Sequence, residues 1–117
     1  MARNSTFPLA GILEKDKLHE SGTNFVDWYR NVRIVLKGCK KDYVLEATLG
    51  DSPPENATEE AMNLFYQRSD DYIAVQCAML VAMEPELQKR FENWGPFKTI
   101  NELEGMFLQQ ARAERYE

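Results

Sequence analysis

Few side chains in this chain are of a kind that does covalent or acid–base chemistry, and their spacing works against most of it. Nucleophilic catalysis needs a base held beside a Ser, Thr or Cys. The one histidine, His19, stands in a charged stretch with no apolar setting, and reads as a solvated loop residue. Cys39 and Cys77 are isolated. With His19 they make too few ligands for a structural zinc site, which needs four. Cys77, within "VQCAML", reads as a small core residue, and Cys39, just after Gly38, as a partly exposed one. Glu59–Glu60 and Asp70–Asp71 are carboxylate doublets. Neighbours on a helix point about 100° apart, so neither doublet can share a substrate as a catalytic pair does. "GDSP" at 50–53 shares two residues with the Asp-Ser/Thr-Gly signature of aspartic proteases, but Pro53 replaces the glycine, and a plain turn is the better reading. "NST" at 4–6 and "NAT" at 56–58 match the glycosylation sequon, and Thr58 is better explained as a helix cap. With no glycine-rich phosphate loop either, the chain reads as a non-enzyme without cofactor or metal.

Binding chemistry is the stronger prospect. Arg30, Arg33, Lys37, Lys40 and Lys41 lie close together, and residues 24–46 carry a local net charge of +2. A basic helix beside Trp28 and Tyr29 has the parts to hold a single nucleic-acid strand by stacking and phosphate contact. The competing reading gives Trp28 to the apolar stripe of an amphipathic helix and leaves the cations on its solvated back, in contact with RNA, another subunit or only water. The overall formal charge of −5 speaks against a general nucleic-acid binder.

The elements that must position these residues follow from period and punctuation. At 117 residues, with 44% apolar and 28% charged residues, the chain is sized for one domain with a real core. Residues 1–7 read as a flexible arm, residues 8–117 as a single helical domain, and "PLAGILEKDKL" as a short turn starting at Pro8. In "GTNFVDWYRNVRIVLKG", at 22–38, Phe25, Trp28, Val32, Val35 and Leu36 recur at helical spacing, Thr23 or Asn24 is placed to cap, and Gly38 to stop. "KKDYVLE" adds one or two turns with Tyr43, Val44 and Leu45 inward, and 47–58 is a loop.

Thr58 caps a long helix predicted over Glu59–Met83, with a bend or break expected at "QRSDD" and an all-round apolar, buried half from Tyr72. Pro85 begins a short helix with Leu87 and Phe91 inward, and "WGP" stops it. Thr99–Glu102 reads as a capping box for a last helix carrying Leu103, Met106, Phe107 and Gln110. The expected core anchors are Phe25, Trp28, Val32, Val35, Tyr43, Phe65, Ile73, Leu80, Leu87, Phe91, Leu103 and Phe107. No run alternates as a strand does, so the fold class is all-α, a compact bundle of five or six helices. "ARAERYE" offers no stop signal, as expected of a piece cut from a longer polypeptide. No stretch approaches a membrane span or a signal-peptide core, and two isolated cysteines suit a reducing compartment.

The ordered motifs resemble a known family. "KLHESGTNFVDWYRNVRIVLKGCKKDYVLE" is similar to the start of Gag proteins from plant copia-type LTR retrotransposons. The matching residues are Gly22, Thr23, Asn24, Phe25, Asp27, Trp28, Arg30, Asn31, Arg33, Ile34, Val35, Leu36, Tyr43, Val44 and Leu45. "MEPELQKRFEN" and the late "LEGMFLQQARAERYE" resemble later parts of the same pattern. His19-Glu20-Ser21 departs from the shorter link usual there. The resemblance implies the N-terminal half of a capsid region, with a retroviral-type capsid fold. It implies a structural protein that self-associates into cytoplasmic virus-like particles packaging the element's RNA, with no membrane partner. The family's RNA-binding zinc knuckle has no counterpart in these residues. The alternatives are a nucleic-acid-binding module and a host-domesticated, Gag-derived adaptor.

Overall fold

The structure is a computed structural model and describes residues 16–108. Four α-helices carry the fold: α1 (Phe25–Gly38), α2 (Glu59–Val81), α3 (Pro85–Phe91) and α4 (Pro96–Leu103). A 3₁₀ turn, Asp42–Leu45, follows α1, and a π-helical turn, Glu104–Leu108, continues α4. The described residues contain no strand; the lone β-type contact is a parallel bridge between Leu18 and Met83. The architecture is all-α, with four helices and two short turns in the described residues rather than five or six helices. The predicted arm at 1–7, the turn from Pro8, the sequon at 4–6, Gln110 and the closing "ARAERYE" lie outside the described residues.

α1 forms as its period requires. Phe25, Trp28, Val32 and Leu36 are buried on one side, while Arg30, Asn31, Arg33 and Lys37 are exposed on the other. Its two ends differ from expectation. Asn24 occupies the N-cap position but its side chain does not cap. Its amide donates to the Lys17 carbonyl (2.8 Å) and its Oδ1 accepts from the His19 N–H (2.9 Å), locking the incoming segment instead. At the other end the helix runs through Gly38, and the left-handed residue is Lys40 (φ 61°). The N–H of Lys40 reaches the Lys37 carbonyl (3.1 Å) and that of Lys41 the Leu36 carbonyl (2.9 Å), the paired bonds of a Schellman stop. The reversal falls two residues later than Gly38, which brings Val44 and Leu45 into the core.

Thr58 caps α2, its Oγ1 accepting from the Ala61 N–H (3.1 Å). No break occurs at 67–71: α2 is continuous over 23 residues, on the order of 34 Å. The polar run stays helical because it faces water or, at Asp71, finds partners on the 40–46 segment. The length problem is solved by projection, for every buried residue of α2 lies between Tyr72 and Met79. The second half is not buried all round either: Ile73 (60% exposed), Cys77 and Val81 face outward, so Ile73 is not a core anchor and Cys77 is not a core residue. The reason is that the core covers one side of α2 only. Phe65, on the projecting half, is half-buried and stands outside the core cluster.

The core joins Phe25, Trp28, Val32, Leu36, Val44, Val75, Met79, Leu87, Phe91, Ile100, Leu103 and Phe107, with Val35, Tyr43 and Leu80 half-buried against it. Pro85 opens α3 and Pro96 opens α4, each at a position where a missing N–H costs nothing. α4 therefore starts three residues before the expected capping box. Thr99 is buried inside it with its hydroxyl turned to Gln76 (3.3 Å), and Glu102 pairs with Arg90 (2.6 Å).

Candidate functional site

Three places are candidates for a functional site: the clamp before α1, the basic side of α1, and the outer side of α2.

The clamp is built from the chain's most distinctive residues. Gly22 is buried with φ 77°, and its Cα faces the Phe107 ring so closely that a Cβ would sit 2.1 Å from a ring carbon. Only glycine meets both demands. Phe25 stacks on Tyr29 (5.6 Å) and packs against Phe107 (5.9 Å). The Trp28 indole N–H donates to the Ala82 carbonyl (3.0 Å), which also accepts from the Leu18 N–H (2.8 Å). The Glu20 N–H donates to the Glu84 carboxylate (2.8 Å). This network ties the segment before α1 to the end of α2. Trp28 is thus a structural residue, 2% exposed and hydrogen-bonded inside. It offers no stacking face to a ligand.

The basic cluster is spread over different environments. Arg30 pairs with Asp27 (3.0 Å) on the surface, and the Arg33 guanidinium lies 4.7 Å over the Tyr29 ring. Lys41 donates to Asp71 (2.7 Å), and Tyr43 donates to the other oxygen of that carboxylate (2.6 Å). Lys37 and Lys40 are exposed. A shallow cavity of about 270 Å³ brings Tyr29, Arg33 and Lys37 together with Asp42, Leu45 and Glu46. Its charges are mixed, so it has no single sign to offer a phosphate. Burial pushes the Tyr29 hydroxyl above the ordinary tyrosine range, the Glu104 carboxylate adds to this, and Arg33 opposes it. Burial also raises Tyr43, reinforced by its bond to Asp71.

The candidate chemical groups do not come together. His19 is exposed, with Nδ1 3.4 Å from the Thr23 hydroxyl. Asp70 is exposed while Asp71 is bound by Lys41 and Tyr43, so the doublet diverges as helix geometry requires. Among the described residues no three His, Cys, Asp or Glu side chains converge to hold a metal ion. No helix of the described residues is long and apolar enough to cross a membrane.

From the sequence, self-association is expected on the polar sides of the first helix and of the 58–83 helix; what that expectation misses is the apolar outer side of α2. Ile73, Cys77 and Leu80 form one wall of an apolar groove of about 480 Å³, and Trp94, Pro96 and Phe97 form another. Trp94 is fixed edge-on against Phe91 (5.0 Å) and is 37% exposed. In the groove Gln76 donates to the Phe91 carbonyl (3.0 Å), and its buried Oε1 meets no partner among the described residues. A signal was present in the sequence: Tyr66, Ile73 and Leu80 recur every seven residues, opposite the stripe that feeds the core.

The geometry defines an all-α domain whose described residues leave a basic helix side and an apolar groove exposed. No family model, curated protein or solved structure matches the chain.

Proposed function

We propose that the chain is a structural domain of a Gag-type polyprotein from a copia-type LTR retrotransposon. In this reading it is a helical, capsid N-terminal-like domain that self-associates weakly into cytoplasmic particles. The observation that carries it is how the Gag-like motif divides. Gly22, Asn24, Phe25, Trp28, Leu36, Val44 and Leu45 make the clamp and core. Asp27, Arg30, Asn31, Arg33 and Ile34 are exposed, and Ile34 at 60% exposure has no scaffold role. A motif with six of its fifteen matching residues exposed suits a domain whose work is contact with copies of itself. Weak contacts suffice in a shell because many act together. Particles seen by electron microscopy of the longer polyprotein, with concentration-dependent light scattering of this domain, are the expected result. A domain monomeric to millimolar concentration, together with a polyprotein that forms no particles, overturns the reading.

The nucleic-acid alternative rests on Arg30, Arg33, Lys37, Lys40 and Lys41. Three of these are already engaged by Asp27, Tyr29 and Asp71, which weakens it. An RNA titration at two salt concentrations separates the readings, since phosphate contacts lose affinity steeply with salt. A domesticated adaptor would use the same fold, and its partner would compete with self-association.

A further inference from the structure

Among the described residues, the first half of α2 packs no side chain into the core. From Glu59 to Asp71 it contributes no buried residue, yet it carries Met62, Leu64, Phe65 and Tyr66, with Leu64 57% and Tyr66 56% exposed. An isolated helix of this length is marginal in water, and helices are held mostly by packing of an apolar face. These residues are not scattered. Exposed Tyr66 and Ile73 and half-buried Leu80 are seven apart, half-buried Met62 and exposed Cys77 flank them at four-residue spacing, and the line runs into the groove beside Trp94. Seven-residue spacing is the seam of a helix pair.

We propose that this outer seam of α2 is a two-fold contact in which α2 of a second copy lies antiparallel across it, centred on Ile73. The proposal rests on the self-association reading above and assigns it a face. An isologous contact requires a patch complementary to itself. Centred on Ile73, the antiparallel register sets Ile73 on its own counterpart and Tyr66 on Leu80 of the second copy, twice over. The projecting half of each helix then covers the groove-side half of the other. Asp70 comes opposite Gln76 of the second copy, in the groove whose charged lining residues are Lys98 and Glu92. Asp70 and Lys98 are both exposed and enter none of the ion pairs among the described residues. The register thus brings Asp70 of each copy to the groove that Lys98 lines on the other, three residues to either side of the centre, with apolar residues along the seam. One line of partly exposed side chains makes a small interface, as weak association requires.

Leu64 provides the internal control. It is as exposed as Ile73, but nine residues away on the same helix it points to the opposite side. Sedimentation velocity from micromolar to millimolar concentration is expected to show a dimer that Ile73→Asp weakens at least about tenfold and Leu64→Asp leaves unchanged. Both variants should keep the wild-type helical circular dichroism and melting. In a chain with Cys39→Ser and Cys77→Ser, Ile73→Cys is expected to oxidise to a covalent dimer and Leu64→Cys is not. A dimer that survives Ile73→Asp, or cross-links through Leu64→Cys, overturns this face while self-association stands. A wild-type chain that stays monomeric throughout overturns this proposal and counts against the reading beneath it.

Discussion

The two halves of α2 are one helix by backbone and two different objects by environment. Tyr72–Val81 supplies Val75 and Met79 to the centre of the core, and Tyr72 donates its hydroxyl to the Ala47 carbonyl (2.6 Å). Glu59–Asp71 supplies nothing to the core. It is held by the Thr58 cap, by Glu59 and Glu60 at the positive end of the helix dipole, and by Lys41 and Tyr43 gripping Asp71 at its base. The lesson is that apolar content does not report burial by itself. Which side of an apolar helix is covered depends on how far the rest of the chain extends along it.

If that division is right, the largest effects belong to the core half and the clamp tied to it. Trp28→Ala removes a buried ring and its bond to Ala82, and should cost about 3–5 kcal/mol in a denaturant melt. A loss below about 1 kcal/mol would mean that the clamp does not hold α2. Gly22→Ala should cost about 2–5 kcal/mol, combining a left-handed backbone with a methyl driven into the Phe107 ring. An unchanged melting temperature in that variant would contradict the close approach.

Asp71, at the boundary between the halves, is the intermediate case. Asp71→Ala removes the acceptor of the Tyr43 hydroxyl and one partner of the Lys41 ammonium, and should cost about 1–3 kcal/mol. The same bond gives a pH dependence. Burial and the Asp71 carboxylate hold the Tyr43 proton more tightly in the folded chain than in the unfolded one. That stability is fully present below about pH 10, the unfolded tyrosine value, and is lost as pH rises above it. Tyr43→Phe should flatten the alkaline limb of the stability curve, and an unaltered limb would remove Tyr43 from the account. At the small end, Leu64→Ala on the projecting half should change the stability of the monomer by less than about 0.5 kcal/mol. A cost above about 2 kcal/mol would place Leu64 in a core.

How much of this was legible in the sequence depended on how local the cause was. α1 could be read because Phe25, Trp28, Val32 and Leu36 draw their own stripe, and the Thr58 cap because its bond spans three residues. Lys40 could not, since nothing marks a lysine for a left-handed stop; the reversal is fixed by where Val44 and Leu45 must land. Thr99 misled because a capping-box pattern was outcompeted by Gly95-Pro96 just upstream, with Gln76 claiming its hydroxyl. Asn24 looked like a cap, but its amide is taken by Lys17 and His19. The apolar run around Ile73 has no polar side to orient it, so the sequence alone does not show that Ile73 faces outward. The outer seam was written in the seven-residue spacing of Tyr66, Ile73 and Leu80, but that pattern gains meaning only once the core is seen to cover the other side.

The most direct test of the division of α2 is amide hydrogen exchange read along that one helix at two protein concentrations. In dilute protein, amides from Glu59 to Asp71 should exchange markedly faster than those from Tyr72 to Val81, because only the second half opens with the core. Raising the concentration into the range where the chain associates should raise the protection of the first half by more than that of the second. A first half already as protected as the second in dilute protein would contradict the account.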